Sequence, residues 1–423
     1  MRIRFLLLLS LLAGIFSLDA QGIRDAIKAD PNMSGTIYTS YKPDLTPQAE
    51  PPKGYKPFYI SHYGRHGSRW HSHDKLYNTT LGYFTAADSL NALTDLGRDV
   101  YERMKKVHAD AIGRSGHLSP KGTAEHRGIA ERMYANYPEV FSTRKGRDCF
   151  IECRSTTVPR CIMSMAAFNE RLKELNPDIR IHRECAERYL TYMKNLKNMN
   201  AMYKYTKEIS ENFMDAHVEP DRFVAALFKP QYADTLDRKM VMRNMFRMAS
   251  IMQDVDYLGI SFYDLFTEDE LFNLWQCYNV QSYVTFGPSA GYGDSIIRDA
   301  KPLLRQIISD ADDAIANGGR SAFLRFGHDI NVVPLLGLMK IDGKCERIPV
   351  EKFEELYKYW ADALITPMAT NVQFIFYRKP KSDDVIVKVL HNEGICRLPV
   401  DTDIFPYYHW KDFREYYLPI ATE

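Results

Sequence analysis

The spacing of apolar residues changes several times along the chain, and each change marks an element. The stretch "KPFYISHYG" (56–64) is almost continuously apolar and aromatic and is bounded by Pro57 and Gly64, which predicts a buried strand. Leu93, Leu96, Val100, Met104, Val107 and Ala111 then recur at three- and four-residue steps, the period of an amphipathic helix. Ser119 and Pro120 supply an N-cap and a first-turn proline for a helix through Ile129 and Met133. "DCFIECRST" (148–156) predicts a second strand, "VPRCIMSMAAFNERLKEL" (158–175) the helix after it, and "DIRIHREC" (178–185) a third strand. Strand and helix alternate, as they do in an α/β protein with a parallel-type sheet flanked by helices.

The pattern changes between residues 188 and 289. This stretch is rich in Met, Tyr and Lys at helical spacing and shows no convincing strand, so it reads as an inserted smaller all-α domain. Residues 21–187 and 290–423 then form the α/β core. In the second part, 294–319 predicts one long helix ended by Gly318 and Gly319. "SAFLRFGHD" (321–329) returns to strand, "NVVPLLGLM" (331–339) to helix, and residues 372–379 and 385–394 give two further strands. Residues 21–55 are polar and turn-rich and are expected to wrap the surface.

The first twenty residues, "MRIRFLLLLSLLAGIFSLDA", have the charged start, short apolar run and small-residue end of a secretory signal peptide. An exported protein, periplasmic or extracellular, is therefore expected, with no membrane span in its mature form. The whole chain carries 55 Lys and Arg against 54 Asp and Glu, and loss of Arg2, Arg4 and Asp19 with the leader makes the two equal. A nucleic-acid partner is not supported by that balance, and any attraction for anions must be local. The seven cysteines are an odd number with no zinc-like spacing, and Cys149 and Cys153, in one strand, lie too far apart to bridge.

Local attraction has an obvious address. "RHGSR" (65–69) places Arg65, His66 and Arg69 directly after the first strand. Arg154 stands near the end of the second strand, and His328 and Asp329 end a later one. Ligands of open parallel sheets bind at the carboxyl ends of strands, so these segments can converge. Phosphoryl transfer wants this set. Forked guanidiniums match phosphate oxygens, a neutral imidazole can attack phosphorus, and a carboxylic acid can protonate the leaving alkoxide. Clamping by cations also does the electrostatic work that a metal does in other phosphatases, so no metal and no cofactor is expected. Gly67 would allow a tight turn or a positive φ. The crowding of His62, His66, His71 and His73 raises a metal site as the alternative, which Arg65 and Arg69 disfavour by repelling a cation.

These residues resemble the histidine acid phosphatase family, a branch of the histidine phosphatase superfamily that includes phytases. Its RHGxR motif is met by residues 65–69, its third active-site Arg by Arg154 in "CRSTTVPRC", and its HD pair by His328 and Asp329. "LSPKGTAEHRGIAERMYANYPEVF" resembles a further family segment. The resemblance implies a phosphoglycerate mutase-like α/β core with a smaller α-domain and the active site between them. It implies His66 as phosphohistidine nucleophile, Asp329 as proton donor, and Arg65, Arg69, Arg154 and His328 as phosphate ligands. The tail "VKVLHNEGICRLP" is similar to the multiple inositol polyphosphate phosphatases, which usually carry His-Ala-Glu where this chain has His328, Asp329 and Ile330.

The expected function is thus an exported, metal-independent phosphomonoester hydrolase with a small-molecule substrate, phytate or another inositol polyphosphate being favoured. A broad or sugar-phosphate acid phosphatase is the neighbouring reading. A phosphate-binding protein and a phosphotransferase stand further off. Trp70, His71 and Lys75, with Lys194 and Lys197 early in the helical stretch, are candidates for choosing a substrate with several phosphates.

Overall fold

The computed structural model describes residues 20–422. The expected leader, apart from Ala20, lies outside the described residues. Eight strands form one sheet: β1 (Lys56–Arg65), β2 (Phe150–Ser155), β3 (Arg180–Cys185), β4 (Ala322–Gly327), β5 (Asn371–Arg378), β6 (Val385–His391), β7 (Gly394–Ile395) and β8 (Tyr407–His409). Their order is β3-β2-β4-β1-β5-β6-β7, with β8 also paired to β6. The fold is mixed α/β, a central sheet flanked by helices.

The half containing β3, β2, β4 and β1 is parallel. The strands of the tail are not: β5 runs antiparallel to β1, and β6 antiparallel to β5. The link from Lys379 to Asp384 explains the second reversal, because so short a connection allows a hairpin but no parallel crossover.

Side-chain alternation sends each strand to two cores. Tyr59, Tyr63, Phe323, Phe374 and Val389 face the helices Lys301–Asn317 and Trp410–Thr422. Ile60, Ile151, Leu324, Phe326 and Ile375 face the helices Pro120–Asn136 and Pro159–Leu175. A third apolar cluster is helical. It joins Leu76, Phe84, Val100 and Met104 of the helices Asp74–Ser89 and Asp95–Ala111 to Phe223, Met245, Phe246, Phe272 and Trp275 from further along.

Local signals acted as the sequence implies. Thr94 Oγ1 accepts from Gly97 N at 2.9 Å, and Ser119 Oγ accepts from Gly122 N, with Pro120 next. The long helix expected over 294–319 is broken into Gly293–Ile297, a tighter turn at Arg298–Ala300, and Lys301–Asn317. Pro302 accounts for the break: it has no N–H, and its ring collides with a carbonyl four residues back. Gly318, at φ 64°, ends the helix. All seven cysteines are unpaired. Among the described residues no helix is long and apolar enough to cross a membrane.

Candidate active site

Strands β1 and β4 end side by side, with Arg65 opposite Gly327 in the register. The residues just beyond the two strands therefore meet at the same sheet edge. His66 lies beyond β1; His328 caps, and Asp329 opens, the helix Asp329–Leu338 beyond β4. The two imidazoles are 5.7 Å apart between ring centres, at 76°. Tyr63 fixes the turn after β4. Its hydroxyl receives His328 N at 3.3 Å and donates to Met193 O at 2.8 Å. A Cβ on Gly327 would lie 2.1 Å from that hydroxyl, so only glycine fits there.

Gly67 is a glycine for a different reason from the one expected. It is not among the residues with positive φ. A side chain there would meet the Gly122 backbone at 2.5 Å, so the loop after β1 packs directly on the first turn of the helix Pro120–Asn136. Ser68 completes that seat, donating from N to Glu125 Oε2 at 2.7 Å.

His66 is almost wholly buried. Its Nδ1 lies 2.9 Å from Gly67 O. A carbonyl only accepts, so Nδ1 carries the hydrogen, and in the neutral ring the lone pair belongs to Nε2. Nε2 has no hydrogen-bond partner among the described residues. Burial, then the charges of Arg65, Arg160 and Arg69, hold the ring neutral by pushing its pKa well below the usual histidine value. His328 is pushed down to about 3 by burial and then by Arg160, and its Nε2 lies 3.1 Å from Thr156 Oγ1. The charge of Lys194 also acts on His328.

Arg65 is fully buried. It donates to the carbonyls of Ile37 (2.7 Å) and Thr366 (2.8 Å), and through Nη2 to Asp329 Oδ2 (3.0 Å). Asp329 also receives Ile330 N at 3.0 Å. Burial alone would raise this carboxyl, but Arg65, His328 and Arg69 outweigh it and hold it below the ordinary aspartate value. Arg69 donates to Trp70 O at 3.0 Å and lies 5.1 Å over the Tyr38 ring; its buried Nε has no partner.

Arg65, His66, Arg69, His328 and Asp329 thus come together. Arg154 does not join them. In β2 it sits level with Arg325, which itself pairs with Tyr63, two rows short of Arg65 and Gly327. Its side chain follows that row to the face of the helix Lys301–Asn317. There it stacks 4.1 Å from the Tyr189 ring and 4.7 Å from Phe323, and bonds Tyr192 Oη and Glu152. The third guanidinium of the site is Arg160, in the first turn of the helix Pro159–Leu175. Its charge acts on His66, His328 and Arg69, and its Nε is buried without a partner. The strand-end rule points to Arg154 and passes over Arg160. The usable signal was Pro159, which opens a helix whose N-terminus faces the strand ends.

Two carboxyls lie behind the loop, and nothing local in the sequence signals them. Ser68 Oγ lies 2.8 Å from Glu125 Oε1 and 2.8 Å from Asp254 Oδ1. The four clustered histidines disperse. His62 is buried against Phe168 and Phe326, His71 meets Arg247, and His73 caps the helix Asp74–Ser89. Among the described residues no group of three or more His, Cys, Asp or Glu could hold a metal ion.

The arrangement is a cup: guanidiniums from three positions surround the neutral His66 imidazole, with the Asp329 carboxyl beside it and the Lys194 charge near His328. Known proteins resemble this chain in sequence and in fold. A family model described as histidine phosphatase superfamily (branch 2) matches residues 64–392. Multiple inositol polyphosphate phosphatase 1 of Gallus gallus is 22% identical over 299 residues, which are 65% of this chain and 63% of that relative. Among solved structures, the multiple inositol polyphosphate phosphatase of Bifidobacterium longum in complex with inositol hexasulfate superposes with a TM-score of 0.77 at 17% identity, covering 90% of this chain and 97% of that one. The phytase from D. castellii gives 0.72 at 16% identity, covering 95% and 85%. At those identities the structural likeness is one of fold. The family rests on the model that spans most of the chain, and this protein belongs to branch 2 of the histidine phosphatase superfamily.

Proposed function

We propose that the protein is a phosphomonoester hydrolase working through a phosphohistidine on His66, with an inositol polyphosphate as its favoured substrate. The observation that carries this reading is the His66 ring, neutral, with Nδ1 tied to Gly67 O and Nε2 open among Arg65, Arg69 and Arg160.

The chemistry runs in two displacements. In the first, Nε2 attacks phosphorus, the ester P–O bond breaks, and the leaving oxygen takes a proton from the Asp329 carboxyl. The guanidiniums hold the non-bridging oxygens throughout. In the second, water attacks the phosphoryl group, gives its proton to the Asp329 carboxylate, and the N–P bond breaks to release phosphate. At rest Asp329 is paired to Arg65. An arriving phosphate competes for Arg65 and adds negative charge, both of which raise the proton affinity of Asp329.

No metal is needed in this scheme, because guanidiniums neutralise the transferring group. The substrate class is supported by the relatives named for inositol polyphosphates. Export is supported by the leader-like first twenty residues.

The test is phosphate release from phytate, glucose 1-phosphate and p-nitrophenyl phosphate, with EDTA present throughout. His66→Ala is expected to lower turnover by at least about 10³-fold. Retention of most activity would sink the mechanism. Equal kcat/KM on all three substrates would replace the inositol polyphosphate reading with a broad acid phosphatase.

A further inference from the structure

A cavity of about 370 Å³ lies beside the cup, lined among others by Tyr38, Tyr203, Arg243, Arg247, Tyr278 and Gln281. Arg243 and Arg247 stand four residues apart on the helix Arg238–Met252, so both project from one face, where like charges repel. Arg243 Nε is buried with no hydrogen-bond partner. Arg247 Nη2 meets His71 Nε2 at 2.7 Å. A guanidinium only donates, so His71 accepts with its lone pair and brings no negative charge. Among the described residues neither arginine forms an ion pair with a carboxylate. Two half-buried, unneutralised cations facing a cavity are costly unless an anion occupies it.

The cavity is one aromatic ring away from the cup. Tyr38 lines it, lies beneath the Arg69 guanidinium at 5.1 Å, and stacks on His71 at 5.8 Å and 29°. Anything held by Arg69 on one side of this ring has the Arg243 and Arg247 pair on the other. A single small molecule carrying anionic groups around a ring can reach both.

We propose that Arg243 and Arg247 form a second phosphate subsite, which takes a phosphate of the same polyphosphorylated cyclitol whose scissile phosphate lies in the cup. This rests on the phosphatase reading and extends it to the selection of polyphosphates over monophosphates. Guanidinium forks and the Tyr203, Tyr278 and Gln281 side chains suit phosphate oxygens. A monophosphate uses the cup alone.

The experiment compares myo-inositol hexakisphosphate with p-nitrophenyl phosphate on the full chain and on Arg243→Ala, Arg247→Ala and Arg243→Lys. In both alanine variants the ratio of kcat/KM, hexakisphosphate over aryl phosphate, is expected to fall at least tenfold, chiefly through KM, and the lysine is expected to restore part of it. An unchanged ratio in both overturns the subsite. Turnover of the aryl phosphate reports whether each variant folds. Calorimetric binding of the hexakisphosphate in a His66→Ala background separates the subsite from turnover. A tenfold weaker Kd with Arg243→Ala supports the subsite even if the wild type releases no phosphate, and an unchanged Kd overturns it. Failure of the wild type to release phosphate from any substrate overturns the phosphatase reading alone.

Discussion

Arg65 Nη2 and Asp329 Oδ2 meet at 3.0 Å, with both side chains almost shut off from water. The pair joins the first motif to the second and sets the resting charge of the proposed acid. A carboxyl held below its ordinary range by Arg65 at rest must gain a proton once a phosphate engages Arg65. The limb due to Asp329 should therefore lie at higher pH in kcat, which reports the complex, than in kcat/KM, which reports the free enzyme. Asp329→Asn should remove this limb and cost about 10²-fold or more on an alkyl phosphate, with less loss on an aryl phosphate whose leaving group needs no proton. Steady-state profiles from pH 3 to 8 (roughly the span in which carboxyls and imidazoles titrate) check both, and equal losses on the two substrates would refute the acid role.

Arg160 and Arg154 should differ in kind. Arg160→Ala takes a guanidinium from around His66 and His328 and is expected to lower kcat/KM by about 10²–10³-fold with little change in stability. Arg154→Ala should act mainly on stability, by about 1–2 kcal/mol, because the side chain packs on two rings and Glu152 keeps Arg320 at 3.2 Å. Kinetics and urea unfolding of the two variants decide between these effects.

Ser68 Oγ has one hydrogen and two carboxyl oxygens at 2.8 Å. Glu125 already accepts from Ser68 N and Tyr41 N, as a carboxylate would. Asp254, fully buried, has an Oδ2 with no partner. Burial and then Glu125 push its pKa well up. The arrangement closes if Ser68 donates to Glu125 and a protonated Asp254 donates to Ser68. Lys121, Tyr77, Tyr263, Arg65 and Arg69 are the other charged or titratable neighbours. Loss of the Asp254 proton at high pH puts a negative charge behind Arg65 and Arg69, so KM for an aryl phosphate should rise with pH. In Asp254→Asn that rise should be smaller. Ser68→Ala should cost about 1–3 kcal/mol in urea unfolding, since it leaves the buried Asp254 carboxyl without a partner while Glu125 keeps the backbone N–H groups of residue 68 and Tyr41.

Asp362 is fully buried, accepts from Trp275 Nε1 and Ser282 Oγ at 3.1 Å each, and is pushed up to about 7, chiefly by burial. The folded chain then binds this proton more tightly than the unfolded chain does. Its contribution to stability is fully present below the ordinary value of 3.8 and is lost as pH rises to about 7. Asp362→Asn lacks this titration. The stability of the wild type relative to the variant should fall between pH 4 and pH 8 by an amount on the order of a few kcal/mol, read from urea midpoints. A pH-independent difference would show that Asp362 is ionised throughout.

Much of this is legible in the sequence. Apolar period placed β1, β2, β3, β4 and the helices behind them within a few residues, and the cap at Ser119 was visible as local chemistry. Arg65, His66, Arg69, His328 and Asp329 could be placed together because each stands at or just past the end of a strand, and strand ends of a shared sheet converge. Those are statements about residues near in sequence, whose geometry the backbone repeat dictates.

Tertiary structure alone decided the rest, because it depends on how one segment is phased against another. Arg154 and Arg160 lie six residues apart, and either guanidinium has the chemistry to hold phosphate. The register of β2 against β4 puts one level with Arg325, two rows short of the strand ends, while the helix opening at Pro159 presents the other to the cup. Nothing local couples Ser68 to Glu125 and Asp254, or Tyr38 to Arg69, His71 and the Arg243 cavity. Those contacts bring together residues dozens to hundreds of positions apart, and only the packing of helices on a sheet brings them within reach.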